Sequence, residues 1–280
     1  MKLTVLVDNN TITDRYFLAE PGFSAFIEDG STRVLFDLGY SGIFGTNADK
    51  MGIPVLKADY IVLSHGHLDH SWGLHSFIMR HTEAQIEGRP HSDPVIVAHP
   101  GAFHSRSAPP LKEIGSIIDE TTLSRIFHLN LTTGPFWLTD NLVFLGEIKR
   151  RFEYEGVPPG NQVILENGIN RADTISDDSA LVYTGREGLV IITGCSHSGI
   201  CNICEQAAEV CGDERIRDII GGLHLINPPR EQMQGTADYL ARKQPAALHP
   251  CHCTDLGSKI ALSLALPVSE VGVGLELNYN

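Results

Sequence analysis

The chain has 280 residues, 42% of them hydrophobic and 20% charged, and a formal net charge of −13. The hydrophobic share suits a globular protein with a sizeable core, and no stretch approaches the roughly 20 apolar residues of a membrane span. The acidic balance argues against a nucleic-acid partner, because a polyanion needs Lys and Arg to neutralise its phosphates, while a small anionic substrate remains compatible with it.

Residues 3–7, 23–28 and 33–37 read as strands, the last two joined by a turn at Asp29-Gly30. The apolar start is read as a strand rather than an export signal. A helix over 43–51 leads to an apolar strand that ends at Ser64. Trp72, Leu74, Phe77, Ile78 and Met79 predict a helix leaving that point. Residues 95–98 form another strand, and 104–119, with no clean period, an excursion over the surface. After a strand at 142–145, residues 150–178 carry Pro158-Pro159-Gly160 and Asn167-Gly168 with few apolar side chains. That composition predicts a long loop covering a pocket as a mobile lid. A hairpin of 180–184 and 189–193 follows, then helix 199–211, strand 216–220, helix 231–243, strand 246–249 and a helix at 260–266. No repeat or composition break marks a linker, so residues 1–280 are expected to form a single domain. Hairpin strands, then strands alternating with helices, twice over, predict an α/β (α+β) fold of two sheets packed face to face with helices outside.

The densest chemistry lies directly after Ser64. His65, His67, Asp69 and His70 form the run His-x-His-x-Asp-His at the mouth of a strand. Imidazole nitrogen and carboxylate oxygen are ligands of choice for zinc and also suit iron and manganese. Alternate histidines of an extended segment point the same way, so His65 and His67 can reach one ion. Asp69 and His70, where the chain turns into a helix, can be aimed at a second.

Three later strands end in histidine-bearing loops: Gly194-Cys195-Ser196-His197, Gly221-Gly222-Leu223-His224 and His249-Pro250-Cys251-His252-Cys253. Strand C-termini are where α/β sites collect their chemistry. His197 and His252 are candidate ligands. His224, after two glycines that let backbone approach a ligand, is a candidate catalytic or ligand residue. His249, ahead of a proline, reads as structural, and His75, His81, His91, His104 and His128 read as solvated surface. Asp37, closing an apolar strand, is placed to accept the free N–H of a metal-bound imidazole. All six cysteines lie in the last third of the chain, and free thiols in a reducing cytoplasm are expected. Cys201-x-x-Cys204 with Cys251-x-Cys253 could hold zinc or an iron–sulfur cluster, but a helix over 201–211 favours buried cysteine as a small apolar residue.

Taken together these residues resemble the metallo-β-lactamase superfamily, through residues 23–74 and again from 180 to about 255. Asp37-x-Gly39 and His65 to His70 match its opening motifs, and His252 its terminal ligand histidine. Gly194-Cys195 falls where many members carry Gly-Asp, whose aspartate bridges two metals. The phrases around His197, His224 and His252 are similar to a subgroup that includes archaeal enzymes related to the methanopterin-pathway dihydropteroate synthase, and there the resemblance implies His197 as a ligand. The resemblance implies a four-layer αββα sandwich with two divalent ions between the sheets, zinc first, iron or manganese as alternatives. The expected ligands are His65, His67 and His197 for one ion and Asp69, His70 and His252 for the other, with Asp37 and Cys195 behind them. The expected activity is hydrolysis of a small metabolite, anionic or phosphorylated, by metal-activated water, with Asp69 and His224 catalytic. Two alternatives stay open: a dihydropteroate-synthase-like transferase in which an arylamine displaces pyrophosphate from a pterin methylene, and an iron-binding redox or sensor protein.

Overall fold

The computed structural model describes residues 1–156, 160, 162–166 and 169–280. Its strands are β1 (Lys2–Val7), β2 (Ser24–Asp29), β3 (Thr32–Phe36), β4 (Tyr60–Val62), β5 (Val95–Ala98), β6 (Ser105–Ser107), β7 (His128–Leu131) and β8 (Phe136–Trp137). They continue with β9 (Leu142–Phe144), β10 (Val163–Glu166), β11 (Ile169–Ala172), β12 (Ala180–Gly185), β13 (Gly188–Thr193), β14 (Ile216–Gly222), β15 (Ala247–Cys251) and β16 (Glu276–Asn278). The helices are α1 (Ile43–Met51), α2 (Leu68–Ser71), α3 (Gly73–Glu87), α4 (Glu120–Leu123), α5 (Ile200–Cys211), α6 (Arg230–Lys243) and α7 (Leu256–Ser263).

Successive residues of a strand face opposite ways, and here both faces are apolar. In β2 to β5, Ala25, Ile27, Val34, Phe36, Val62 and Val97 face one core, while Phe26, Leu35, Ile61 and Ile96 face another with α1 and α3. The second sheet repeats the arrangement. Leu181, Tyr183, Val190, Ile192 and Ile220 meet the first sheet, and Val182, Ile191, Ile219 and Leu248 lie under α5, α6 and α7. Three cores between four layers make an αββα sandwich. The sheets run β16-β1-β2-β3-β4-β5-β7 and β15-β14-β13-β12-β9-β8. Strands β3 to β5 and β13 to β15 are parallel, so their C-terminal loops gather at one edge. Among the described residues no helix is long and apolar enough to cross a membrane.

The expectation of a long loop at 150–178 is overturned over the described residues. Strands β10 and β11 pair antiparallel, and β10 pairs with β6 from the 104–119 excursion, giving a separate three-stranded sheet. β6 and β11 are short and polar, β10 is apolar but only four residues long, and its pairing with β6 is non-local. Of the turn signals, Pro158, Pro159, Asn167 and Gly168 lie outside the described residues. Beyond β11 the chain is pinned: Asp173 and Asp177 are buried on the equally buried Arg106, at 2.9 and 2.8 Å. That end cannot swing as a lid without baring a charge cluster. The last helix begins at Leu256 rather than near residue 260, because Asp255 caps it by accepting from Ser258 N at 2.7 Å.

Candidate metal centre

Strand β4 delivers its C-terminal loop beside Asp37, which follows the parallel neighbour β3. The Asp37 carboxylate accepts from Ser64 N, Ser64 Oγ and His70 Nδ1, each at 2.7 Å. With the Ser64 hydroxyl proton spent on Asp37, His65 Nδ1–H donates to Ser64 Oγ at 2.9 Å. Both imidazoles therefore carry their proton on Nδ1 and turn the Nε2 lone pair inward. A single turn, α2, then brings round Asp69 and His70. Gly66 is obligatory between the two histidines, since a Cβ there would sit 2.0 Å from Ala102 O and 2.4 Å from Arg106 Nη1. Its N–H donates to Asp177 Oδ2 at 2.8 Å, which ties the loop to the Arg106 cluster.

The second sheet supplies the rest from the ends of β13, β14 and β15. The loops are tightly folded: Ser196, His224 and His252 all have positive φ, as Asp37 does across the site. Non-glycine residues in that region cost of order 1 kcal/mol each and collect at functional sites. Gly194 fits because a Cβ would meet Ser64 Oγ at 2.0 Å. The glycine pair at 221 and 222 serves chain packing rather than ligand approach, as their Cβ positions meet Thr193 O and Gly194 O at 2.0 and 2.4 Å. His252 N donates to Asp8 Oδ1 at 2.8 Å, and its Nδ1 lies 3.1 Å from Asn9 Oδ1.

Two groups of donors result, each able to hold a metal. In the first, His67 Nδ1 lies 3.1 Å from both His65 Nε2 and His197 Nε2. In the second, His252 Nε2 lies 3.2 Å from His70 Nε2, from Cys195 Sγ and from Asp69 Oδ2, with His70 Nε2 also 3.2 Å from Cys195 Sγ. Adjacent nitrogens on a tetrahedral zinc are about 3.3 Å apart, so most of these spacings are close to those around one cation, the His70–Asp69 pair at 3.8 Å being the widest given. Lone pairs of neutral imidazoles facing one another at this spacing repel unless a cation lies between them. The groups abut, His65 and His70 having ring centroids 4.4 Å apart.

Electrostatics agree with this chemistry in the first donor group, whereas at His70 burial is outweighed by the Asp69 and Asp37 carboxylates, which raise its pKa. Burial, reinforced by neighbouring imidazoles, pushes His65 and His197 well below the ordinary imidazole range. Burial and then the Arg106 charge bring His67 down to about 4. These three are neutral near pH 7, the form that coordinates. Burial alone would raise Asp69, but His70 and His252 outweigh it and hold the carboxyl below its usual range. Burial, with the Cys253 thiol beside it, pushes Cys195 up, so its thiolate form depends on a cation.

The structure brings together His65, His67, Asp69, His70, His197 and His252. It also revises the place of Cys195: expected behind the ligands, its sulfur stands among them. His224 belongs to neither donor group; its ring lies against His197, centroids 4.3 Å apart, and it lines a cavity of about 270 Å³ with Asn9, Pro21 and Ile226. His249 is held by Asp218 at 2.9 Å, away from the centre. Cys201 and Cys204 pack on the helix side of the second sheet and Cys251 between the sheets, so these thiols form no common site. Sequence reading missed Asn9, Ser64, Arg106 and Asp177, whose roles depend on contacts across the fold.

Comparison with known proteins agrees with the fold. Residues 18–136 match the metallo-β-lactamase superfamily. An uncharacterized protein of Methanocaldococcus jannaschii is 31% identical over 264 residues, 93% of each chain. The chain belongs to the metallo-β-lactamase superfamily. A second relative, from the same organism, is 29% identical over 266 residues, 91% of this chain and 87% of that one. It bears the name 7,8-dihydropterin-6-methyl-4-(β-D-ribofuranosyl)-aminobenzene-5′-phosphate synthase. Among solved superfamily structures, Tm1679, described as a metal-dependent hydrolase, has a TM-score of 0.84 at 27% identity, covering 100% of this chain and 99% of its own.

Proposed function

We propose that residues 1–280 act as one cytoplasmic hydrolase domain with a dinuclear centre, zinc filling both positions, on a small anionic or phosphorylated metabolite. The observation that carries this reading is the pair of abutting donor groups at the floor of one cavity, His65, His67 and His197 beside Asp69, His70, Cys195 and His252. Divalent cations at such a site supply Lewis acidity and lower the pKa of water from ~16 towards 7. The chain does the rest. Asp37 and Ser64 fix the tautomers of His70 and His65, and Asp69 keeps a carboxylate oxygen where it can hold a water proton. His224, on the cavity wall, can hydrogen-bond the oxygen that gains charge or protonate a leaving group. Its pKa is lowered by burial and by His252, which leaves it neutral near pH 7: an N–H donor to that oxygen, and an acid only once it has itself taken up a proton.

A second reading is group transfer, favoured by the name of the 29% identical relative. Cations held by the same donors would then bind a pyrophosphate leaving group on a pterin methylene while an arylamine displaces it. Elemental analysis followed by a substrate panel tests both. Close to two zinc equivalents and turnover of an ester, thioester, phosphodiester or pyrophosphate in water alone support hydrolysis. Turnover of a pterin pyrophosphate that requires an arylamine supports transfer. One equivalent, or no turnover of any of them by the loaded protein, overturns the proposal.

A further inference from the structure

His81 does not lie on the solvated surface, as its sequence context suggested. It is 1% exposed, just past the middle of α3, with its ring stacked on Phe77 and edge-on to Phe127 at centroid distances of 6.1 and 5.1 Å. A histidine so enclosed must satisfy its nitrogens locally. Its Nε2 lies 3.1 Å from Asp93 Oδ1 and 3.1 Å from the carbonyl oxygen of Ser92. The His91 ring stands edge-on to it, centroids 5.1 Å apart. One donor atom from each of His81, His91 and Asp93 falls within 4.8 Å of the others. None of these residues takes part in the centre described above.

We propose that His81, His91 and Asp93 form a peripheral site for a divalent transition metal, zinc or nickel by the chemistry of its donors, with the Ser92 carbonyl as a further oxygen. Two imidazoles, a carboxylate and a carbonyl make an N/O set of the kind these ions accept. A second observation points the same way. His91 Nδ1–H donates to Arg89 O at 2.8 Å, the backbone contact that fixes a ligating histidine's tautomer; it leaves Nε2 unprotonated. The local charge also suits a cation, since Arg89, the neighbouring base, is engaged by Glu87 and Glu83, while Asp93 has only His81 as ion-pair partner among the described residues. The 3.1 Å spacing at His81 is already close to the roughly 3.3 Å between ligands on a tetrahedral ion. His91 and Asp93 are on the outer side and can turn through the remaining distance. A bound ion would fasten the last turns of α3 to the loop that enters β5, whatever the central site does.

The test uses the intact protein and zinc alone, in equilibrium dialysis at micromolar free zinc. Wild type should hold one equivalent more than either His91→Ala or Asp93→Asn, and its Tm should rise further on zinc addition than theirs. Because both residues contact the buried His81, the Tm of each variant without zinc is measured to confirm folding. His75→Ala, which removes an exposed histidine from the same helix, should match wild type. Equal stoichiometry in wild type and both variants overturns the site, as does an equal loss in His75→Ala.

Discussion

Replacing Asp37 by Asn tests whether the second donor group is set by a tautomer. If the amide oxygen keeps the bond from Ser64 N, the amide NH2 takes the place of Oδ2 and presents hydrogens to Ser64 Oγ and to His70 Nδ1, each 2.7 Å away in the wild type. His70 can meet a donor only by moving its proton to Nε2, the nitrogen that faces Cys195 and His252. The metal-facing lone pair is then lost. A hydrogen bond to a charged group contributes about 1.5–3 kcal/mol, and tenfold in affinity corresponds to about 1.4 kcal/mol. Asp37→Asn should therefore weaken cation binding at Asp69, His70, Cys195 and His252 roughly ten- to hundredfold. The group of His65, His67 and His197 should be nearly unaffected, because only His65 is reached from Asp37, and only through Ser64. Competition against a chromogenic chelator that resolves two binding steps measures both, and a thermal melt confirms folding. Two unchanged steps, or two steps weakened equally, would refute the reasoning.

Cys195→Ser should weaken the same step by at least about tenfold, since a serine hydroxyl does not ionise as a thiol does beside a cation; cobalt-loaded protein should lose its thiolate-to-metal absorption. His224→Ala should retain every bound cation while turnover falls about 10²–10⁴-fold, and loss of a cation would make His224 a ligand instead. Glu155 is buried at the start of α5, accepting from Asn202 N at 2.7 Å and Cys201 N at 3.2 Å, and burial raises it to about 7. A carboxyl raised in the folded state favours folding below its unfolded pKa of about 4.5, and that contribution is lost as pH rises through 7. Denaturant unfolding of wild type should thus weaken from pH 4.5 to 7 by up to roughly 3 kcal/mol from this group, and Glu155→Gln should flatten that slope; identical slopes would count against it.

The parts of the centre legible in the sequence were those written contiguously. His65 to His70 is a motif because β4 ends and α2 begins within six residues, and parallel β13, β14 and β15 brought the remaining histidine loops to the same edge. What escaped was set by distance along the chain. Cys195 becomes a donor only because Gly194 lets β13 press against Ser64. Asn9 reaches His252 across 243 positions. Arg106 and Asp177 looked like ordinary loop residues until the loop carrying Gly66 was seen resting on them. The β10–β11 hairpin was missed because its partner, β6, lay in a segment with no periodicity.

Both donor groups straddle the sandwich. His65, His67, Asp69 and His70 come from the first sheet, and His197, Cys195 and His252 from the second. An ion in either group would thus be a rivet across the open edge, joining residues 125 to 183 positions apart in sequence. Because the unfolded chain cannot present such a set, each rivet adds its occupancy directly to the stability of the fold, about 2.7 kcal/mol when free ion exceeds its dissociation constant a hundredfold. Stripping the ions would therefore do more than stop chemistry. It would loosen the seam between the sheets and expose the chain to proteases, an outcome that limited proteolysis with and without a chelator measures.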